Sequence, residues 1–414
     1  MTKIAIVGSG IAGLGAAYVL DPYYDVVLYE AQDRLGGHAN TVTVQDPVAG
    51  PLGIDTGFIV HNDRNYPNLV RLFDELGVEI QDTDMSFGVD HREAAISYRA
   101  TNIATLFAHR RNALTPGYWR MLRDIPRFWR AASRLLDHPD PSISLNDFLE
   151  TGAFSSEFVN WHLMPMGSAI WSASPATFGA FPAVSLLTFL HNHGLLGIGR
   201  RPQWRTVHGG SSNYVNRIAS ELKAEVRTSS PVVNLIRDGA TVELSTPRGT
   251  DQFDAAILAC HPDQSLKLLA NPSQDETSIL GAIKYQPNTA TLHTDESVLP
   301  TTVRSQAAWN YRVERGAELP TVTYDLTALQ RLAGSRRYLV SLNMDHLIDQ
   351  SRVIERFEYA HPVFNNDAIT AATRLDVLNG SNLVYYAGAW VGHGFHEDGL
   401  VSALRVCEKL GVCW

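Results

Sequence analysis

Cysteine is scarce in this chain. Cys260, Cys407 and Cys413 stand apart. They have neither metal-ligand spacing nor a disulfide framework, which points to a reducing compartment. Long apolar runs are missing too: none reaches the roughly 18–20 residues of a membrane span. The N-terminus has no basic region ahead of a cleavable apolar core; its apolar run is broken by glycines and reads as a strand and a turn. Positive charge is in short supply. The formal net charge is −9, which argues against a nucleic-acid partner. No internal repeat or low-complexity tract is present. These absences lead to the expectation of a soluble cytoplasmic protein, with peripheral contact at the inner face of a membrane left open.

What is present is ordinary for a globular chain: 45% hydrophobic and 19% charged residues. At 414 residues it is too long for one small core and suits two interleaved domains. The run Lys3-Ile4-Ala5-Ile6-Val7 predicts a buried parallel strand. Glycines follow, then a helical stretch from Ala12 to Leu20, then a second strand, Asp25 to Tyr29, ending on Glu30. That is one β-α-β unit in about 30 residues. Residues 40–60 read as short strands and turns. Tyr66 to Leu76 reads as an amphipathic helix closed by Gly77. From 100 to 200 strand signals fade and a helical insertion is expected. Strands return from Val226 to Leu244, with Val232, Val233, Leu235 and Ile236 as a β-rich core, and again from Phe253 to Ala259. Residues 281–345 alternate as in a half-exposed antiparallel sheet. The end, Leu383 to Val406, reads strand, glycine-rich loop, helix. The expected class is α/β plus α+β: a discontinuous Rossmann-like nucleotide-binding domain from 1–85, 205–280 and 375–414, and a substrate domain of antiparallel sheet plus helices from 86–204 and 281–374.

The chemistry begins at Gly8-Ser9-Gly10-Ile11-Ala12-Gly13. Glycines here permit a tight turn, close backbone approach to a pyrophosphate and tight helix–strand packing. The helix N-terminus offers free N–H groups to phosphates. Glu30, about 20 residues on, can accept from ribose hydroxyls. Strand before, helix after and acid in place make this a nucleotide site, although the motif alone does not separate NAD from FAD.

The next residues do separate them. Arg34-Leu35-Gly36-Gly37 after Glu30, the short Asp55-Thr56-Gly57 element, and the late Tyr386-Ala387-Gly388 and Glu397-Asp398-Gly399 together resemble the flavin-containing amine oxidase and phytoene desaturase superfamily. The resemblance covers the chain ends and the Val226–Ala259 strands; the insertions match loosely. It implies FAD. It also implies that Ile11, Ala12, Ala31, His38, Phe58, Val233 and Ala389 join the glycines and acids along the cofactor. A helix N-terminus at Glu397-Asp398-Gly399 would face the isoalloxazine, where positive helix-end charge suits the reduced anion. His38-Ala39-Asn40, Trp171-Ser172, Leu292-His293-Thr294-Asp295 and Gly394-Phe395-His396 resemble bacterial FAD proteins similar to the flavin domain of plant cyclopropane-fatty-acid synthases, which implies a lipid or fatty-acyl context.

Three positions depart from the amine-oxidase pattern. His38 stands where an arginine is usual. Ala389 stands where a carboxylate commonly meets the ribityl chain. His396 stands where many amine oxidases place a cage tyrosine, which argues against simple amine oxidation. Gly281-Ala282-Ile283-Lys284 resembles the segment bearing the flavin-facing lysine. Its alternative is a surface lysine at a strand edge. His396 is the other catalytic candidate, as acid or base beside the flavin, and His393 a weaker one. With no third ligand at sensible spacing they do not suggest a metal. His61, His293 and His361 read as structural. Glu397 and Asp398 read as supports of their own helix start.

Arg110, Arg111, Trp119, Arg120, Arg123, Arg127, Phe128, Trp129, Arg130 and Arg134 form a basic aromatic stretch with Asp124 as its only acid. Residues 105–136 are therefore a candidate for contact with an anionic membrane, against a solvated helix face as the plain alternative. Ser185 to Leu190 and Leu195 to Ile198 suit an acyl tunnel or a core. The expected activity is removal of hydride from a hydrophobic, fatty-acyl or lipid substrate by an FAD-dependent oxidoreductase. The alternatives are an amine oxidase, a flavin-dependent fatty-acid or carotenoid isomerase, and a non-catalytic flavoprotein partner of a lipid methyltransferase. With a single dinucleotide fingerprint, the electron acceptor is expected to be oxygen, a quinone or a protein.

Overall fold

The computed structural model describes residues 2–172, 174–197, 201–314 and 319–414. Its central sheet has five parallel strands: β1 (Lys3–Val7), β2 (Asp25–Tyr29), β3 (Glu225–Arg227), β4 (Ala255–Leu258) and β5 (Val384–Tyr386), in the order β3-β2-β1-β4-β5. The strands come from 1–85, from 205–280 and from 375–414. They are apolar on both faces because both faces are covered. Ile4 and Ile6 of β1 pack under α1 (Ile11–Leu20) and the final helix. Ala5 and Val7 pack on the other side with Leu235, Leu244, Ile279 and Leu280. The remaining helices used below are α2 (Pro67–Glu75), α3 (Pro116–Asp137) and α4 (His396–Lys409).

Apart from Tyr18, all of α1 is buried, as expected for a helix that is apolar all round. It lies so close to α4 that a Cβ on Gly15 would sit 2.6 Å from Leu400 Cδ1.

A second sheet has seven strands, in the order 353–363, 284–293, 339–342, 322–325, 309–313, 87–91, 96–99. The expected antiparallel sheet carries one exception: Trp309–Val313 pairs parallel with Phe87–His91. Those two strands come from separate insertions, so no hairpin sets their direction. The longest pairing joins Lys284–His293 to Val353–Val363, with Gln286 opposite His361 and Asn288 opposite Tyr359. Alternation puts these four residues on one face.

The described elements from residue 103 to residue 192 are helices, packed around Tyr118, Phe128, Phe158, Trp171, Phe178, Phe181 and Phe189. Of the expected acyl-tunnel stretch, Ile198 lies outside the described residues. The Val232–Ile236 core needs correction: Leu235 is buried, but Val233 and Ile236 are exposed. The Asn234–Arg237 strand is covered on one side only, so alternate residues face out. No described helix is long and apolar enough to cross a membrane.

Gly15→Val tests the α1–α4 contact. Overpacking there should cost about 1–3 kcal/mol, read as a lowered urea midpoint, with loss of any cofactor held between the two helix starts.

Candidate active site

β1 hands over to Gly8, whose N–H donates to Tyr29 O at 2.8 Å and so ties the turn to β2. A Cβ on Gly13 would run into the Gly8 carbonyl, so only glycine lets the helix start this close to the strand. No side chain caps α1. Its first N–H groups therefore remain without helical partners. A Cβ built on Gly10 meets nothing within 4 Å, so the space beside this turn is open. Glu30 borders it. One carboxylate oxygen accepts from Ser9 N at 3.0 Å and Ser9 Oγ at 2.5 Å, the other from Gln32 N at 2.8 Å. A carboxylate offers about four acceptor sites, so one remains for a ribose hydroxyl. Ser229 N and Ser230 N donate to Gln32 O and Glu30 O. These bonds fasten the segment that leads to the exposed Val233 onto the turn that holds the exposed Ala31.

The second motif closes on the first. Gly36 N donates to Ser9 O at 3.0 Å, and Arg34 Nη1 to Gly37 O at 2.9 Å. Gly36 sits at φ +105°, a left-handed conformation that favours glycine. Gly57 packs directly on the His38 backbone, and Phe58 N donates to His38 O at 2.7 Å. Asp55 reaches no open space. It is buried and accepts from Thr41 Oγ1 (2.6 Å), Ser211 N (2.8 Å), Ser211 Oγ (2.7 Å) and Gln330 Nε2 (3.2 Å). Burial pushes its pKa up to about 6, against the pull of the Thr41 and Ser211 donors. Ser211 and Gln330 were not singled out from the sequence. The one available signal was the glycine pair Gly209-Gly210 followed by Ser211, just before the helix Ser212–Glu221.

The C-terminal motif completes the cradle. Gly388 N donates to Ser402 Oγ at 2.8 Å. A Cβ on Gly399 would lie 2.8 Å from Ile11 Cγ2, 3.6 Å from Ala389 N and 3.8 Å from Ala12 N. The first turns of α1 and α4 therefore lie side by side. Asp398 accepts from Phe395 N at 2.9 Å and supports its own helix start, as expected. Glu397 differs. It accepts from Asn68 N (3.0 Å), Asn68 Nδ2 (2.7 Å) and Leu69 N (2.9 Å), so it caps α2. Burial raises both carboxyl pKa values.

His396 is the main revision. Its ring is buried, stacked on Phe58 at 3.7 Å and hydrogen-bonded through Nε2 to Tyr214 OH at 3.0 Å. Burial pushes its pKa down to about 3. The side chain belongs to the nucleotide-domain core. Phe395, one residue earlier, points into the helical insertion, with its centroid 6.3 Å from Trp171 and 5.2 Å from Phe189. His393 O accepts from Trp171 Nε1 at 3.1 Å. No periodicity settles which of two adjacent residues at a helix start turns outward.

A sheet face lies opposite. Gln286 donates to Ser172 O at 2.8 Å, and Asn288 Nδ2 lies 3.0 Å from His361 Nδ1. Tyr359 OH meets Thr56 Oγ1 at 2.8 Å and Asn40 Nδ2 at 3.0 Å. His38 stacks on Tyr359 at 4.9 Å and lies 5.4 Å from His361. Its buried Nε2 has no partner among the described residues, and burial holds its pKa well below the usual range. His361, read from the sequence as structural, thus stands at the site. Lys284 begins the same strand face and is exposed. A cavity of about 290 Å³ adjoins the Val391–His393 loop, with Phe181, Phe364 and Ile369 in its lining together with Arg405.

The donor set suits FAD. The uncapped start of α1 would take the diphosphate, Glu30 would take the ribose end, and polar side chains meet near His38. Two outcomes follow from the buried groups. Asp55→Ala leaves the Thr41, Ser211 and Gln330 donors without an acceptor; it should cost about 3 kcal/mol in urea unfolding and lower flavin retention. Burial also depresses His61, His162, His193, His293 and His361 to about 4. Below pH 6.5 the unfolded chain takes up protons that these native imidazoles and His396 refuse, so stability falls as pH drops towards 4. One pH unit below 6.5, each costs on the order of 1 kcal/mol. Asp55 opposes this: its raised carboxyl costs stability as pH rises from 3.8 through 6. Urea stability should fall by several kcal/mol from pH 7 to 5.5, and His396→Gln should flatten that slope.

Known proteins share this architecture. The model of the flavin containing amine oxidoreductases matches residues 11–410. An L-amino acid dehydrogenase of Synechocystis sp. is 28% identical over 291 residues, 64% of this chain and 57% of the relative. The chain thus spans less than two thirds of that relative's length. A fatty acid isomerase from P. acnes superposes with a TM-score of 0.71 at 14% identity, covering 99% of both chains. Cyclohexylamine oxidase from Brevibacterium oxydans does so with a TM-score of 0.69 at 16% identity, again covering 99% of both. The two superpositions establish the fold, and the family match over nearly the whole chain establishes descent: this chain belongs to the flavin-containing amine oxidoreductase family and has its FAD-binding architecture.

Proposed function

We propose that the protein is an FAD-dependent oxidoreductase that removes hydride from a C–H bond of a hydrophobic substrate with an acidic head, a fatty-acyl chain being the best fit. One observation carries the reading: the cavity beside the C-terminal flavin motif has Phe181, Phe364 and Ile369 in its lining together with the exposed Arg405. The apolar side chains of the lining suit an acyl chain and the guanidinium suits a carboxylate, while Asp376, also in the lining, is answered by Lys409 at 3.5 Å. Phe395, Trp171 and Phe189 extend the aromatic surface. Bound flavin supplies the hydride acceptor. The chain supplies position and exclusion of water, and a side chain takes the second proton where a double bond forms. With His396 held in the core, the groups available are Lys284 and His361 on the sheet face and His38, which stacks against it.

Oxidation of an amine or amino acid is the second reading. The family and the L-amino acid dehydrogenase relative favour it, and Arg405 suits an amino-acid carboxylate equally well.

Mixing the oxidised holoprotein anaerobically with a long-chain fatty acid, and separately with amines and amino acids, distinguishes the readings. Flavin bleaching by the fatty acid alone is expected, with Arg405→Gln raising the concentration needed at least tenfold. Bleaching by amines alone would replace this reading with the second. Lipid product without bleaching would indicate isomerisation. Retained flavin that reacts with neither, together with stable co-purification of a lipid methyltransferase, would indicate a non-catalytic partner.

A further inference from the structure

Two segments about 200 residues apart in sequence converge on one apolar surface. The helical turn Ile103–Leu106 packs beside the turn Val303–Ser305, and the turn Arg110–Leu114 packs on the start of α3. At this junction Leu114 is 84% exposed, Ile103 78%, Val303 75% and Trp119 53%. Exposed singly, such residues would need no explanation. Four together form a patch that the fold itself leaves uncovered. Trp119 is held there: its Nε1 donates to Ala113 O at 2.9 Å, and its ring lies 5.3 Å from Phe107.

The charge around the patch has one sign. From Thr101 to Arg123 and from Leu299 to Val313 the chain contains no acidic residue, although the whole protein carries −9. Arg110, Arg111 and Arg304 are exposed, with no carboxylate in ion-pair range among the described residues. Arg130 and Arg134, further along α3, are exposed and likewise have no carboxylate in ion-pair range among the described residues; the other arginines of the stretch are paired. Arg120 pairs with Glu157, and Arg123 and Arg127 with the buried Asp124. Phe128 is buried. The surface is therefore the N-terminal end of α3 with its flanking turns, together with Val303 and Arg304, which lie far away in sequence. It lies at one end of the arginine-rich stretch 105–136, whose exposed Arg130 and Arg134 continue along α3.

We propose that this surface docks the protein on an anionic lipid bilayer, with Leu114, Trp119, Ile103 and Val303 entering the interfacial layer and Arg110, Arg111 and Arg304 meeting lipid phosphates. Tryptophan favours the interfacial zone, and each arginine near an anionic surface contributes about 1 kcal/mol. Against a net charge of −9, an acid-free patch also favours one orientation. The inference does not depend on the substrate.

Flotation of the holoprotein with vesicles tests it. The protein should float with phosphatidylcholine vesicles containing phosphatidylglycerol, stay behind with phosphatidylcholine alone, and release in salt near 1 M, where charges are screened beyond about 3 Å. Arg110→Glu/Arg111→Glu/Arg304→Glu should lower partitioning by at least roughly 100-fold, from three contributions of about 1 kcal/mol. Ile103→Ser/Leu114→Ser/Val303→Ser should do so at unchanged flavin content, because all three side chains are exposed. The proposal is overturned if the wild type ignores phosphatidylglycerol vesicles, or if both variants float as it does. A dimer that the serine variant dissolves, without vesicle binding, would assign the surface to a second copy and overturn it equally.

Discussion

The first and last helices of this chain begin side by side, and the site depends on that approach. α1 starts at Ile11 and α4 at His396, yet the Gly399 Cα hydrogens face Ile11 Cγ2 and the N–H of Ala12. Each helix start carries roughly half a positive charge on its unpaired N–H groups. Placing two together is unfavourable unless an anion or a carboxylate answers them. α4 is answered by Asp398. α1 has no side-chain cap and opens on the space beside Gly10. A diphosphate would supply the missing charge there. Gly13 and Gly15 make the approach possible, one against the turn and one against Leu400.

Two buried carboxylates brace what surrounds this centre through hydrogen bonds to the scaffold. Asp55 ties the Thr41 strand, the Ser211 helix start and Gln330 to one point. That braces the Gly57 backbone against His38. Glu397 leaves the flavin motif to cap α2. The motif acids thus act mainly on the scaffold, while the open face is lined by aromatic rings and by imidazoles that burial keeps neutral. The aromatic part of this lining would limit the access of water to a bound flavin.

The legible part of this structure was local. The β1-turn-α1 unit, Glu30, the Gly36-Gly37 turn and the final strand-loop-helix all follow from short-range pattern, because glycine placement and apolar period act within a few residues. What escaped depends on long-range contact. Asp55 meets Ser211 across 156 residues and Gln330 across 275, and spacing cannot reveal such pairs. That His396 is buried while its neighbour Phe395 meets the helical insertion was hidden for another reason. Both sit at a helix start, where neither the strand nor the helix period applies, and the ring that found a buried partner in Tyr214 turned inward. The parallel pairing of 87–91 with 309–313 was hidden because each strand alternates the same way whichever direction its neighbour runs.

The most direct measurement is flavin content in a pair of proteins, the wild type and Gly10→Glu. The free backbone has room for a side chain at Gly10, where nothing lies within 4 Å, so the variant should fold with unchanged circular dichroism. Its carboxylate would occupy the diphosphate position. The account predicts a yellow wild type with about one FAD per chain and a colourless, folded variant that takes up no added FAD. A variant that retains flavin as the wild type does, or a wild type that refuses FAD altogether, would contradict it.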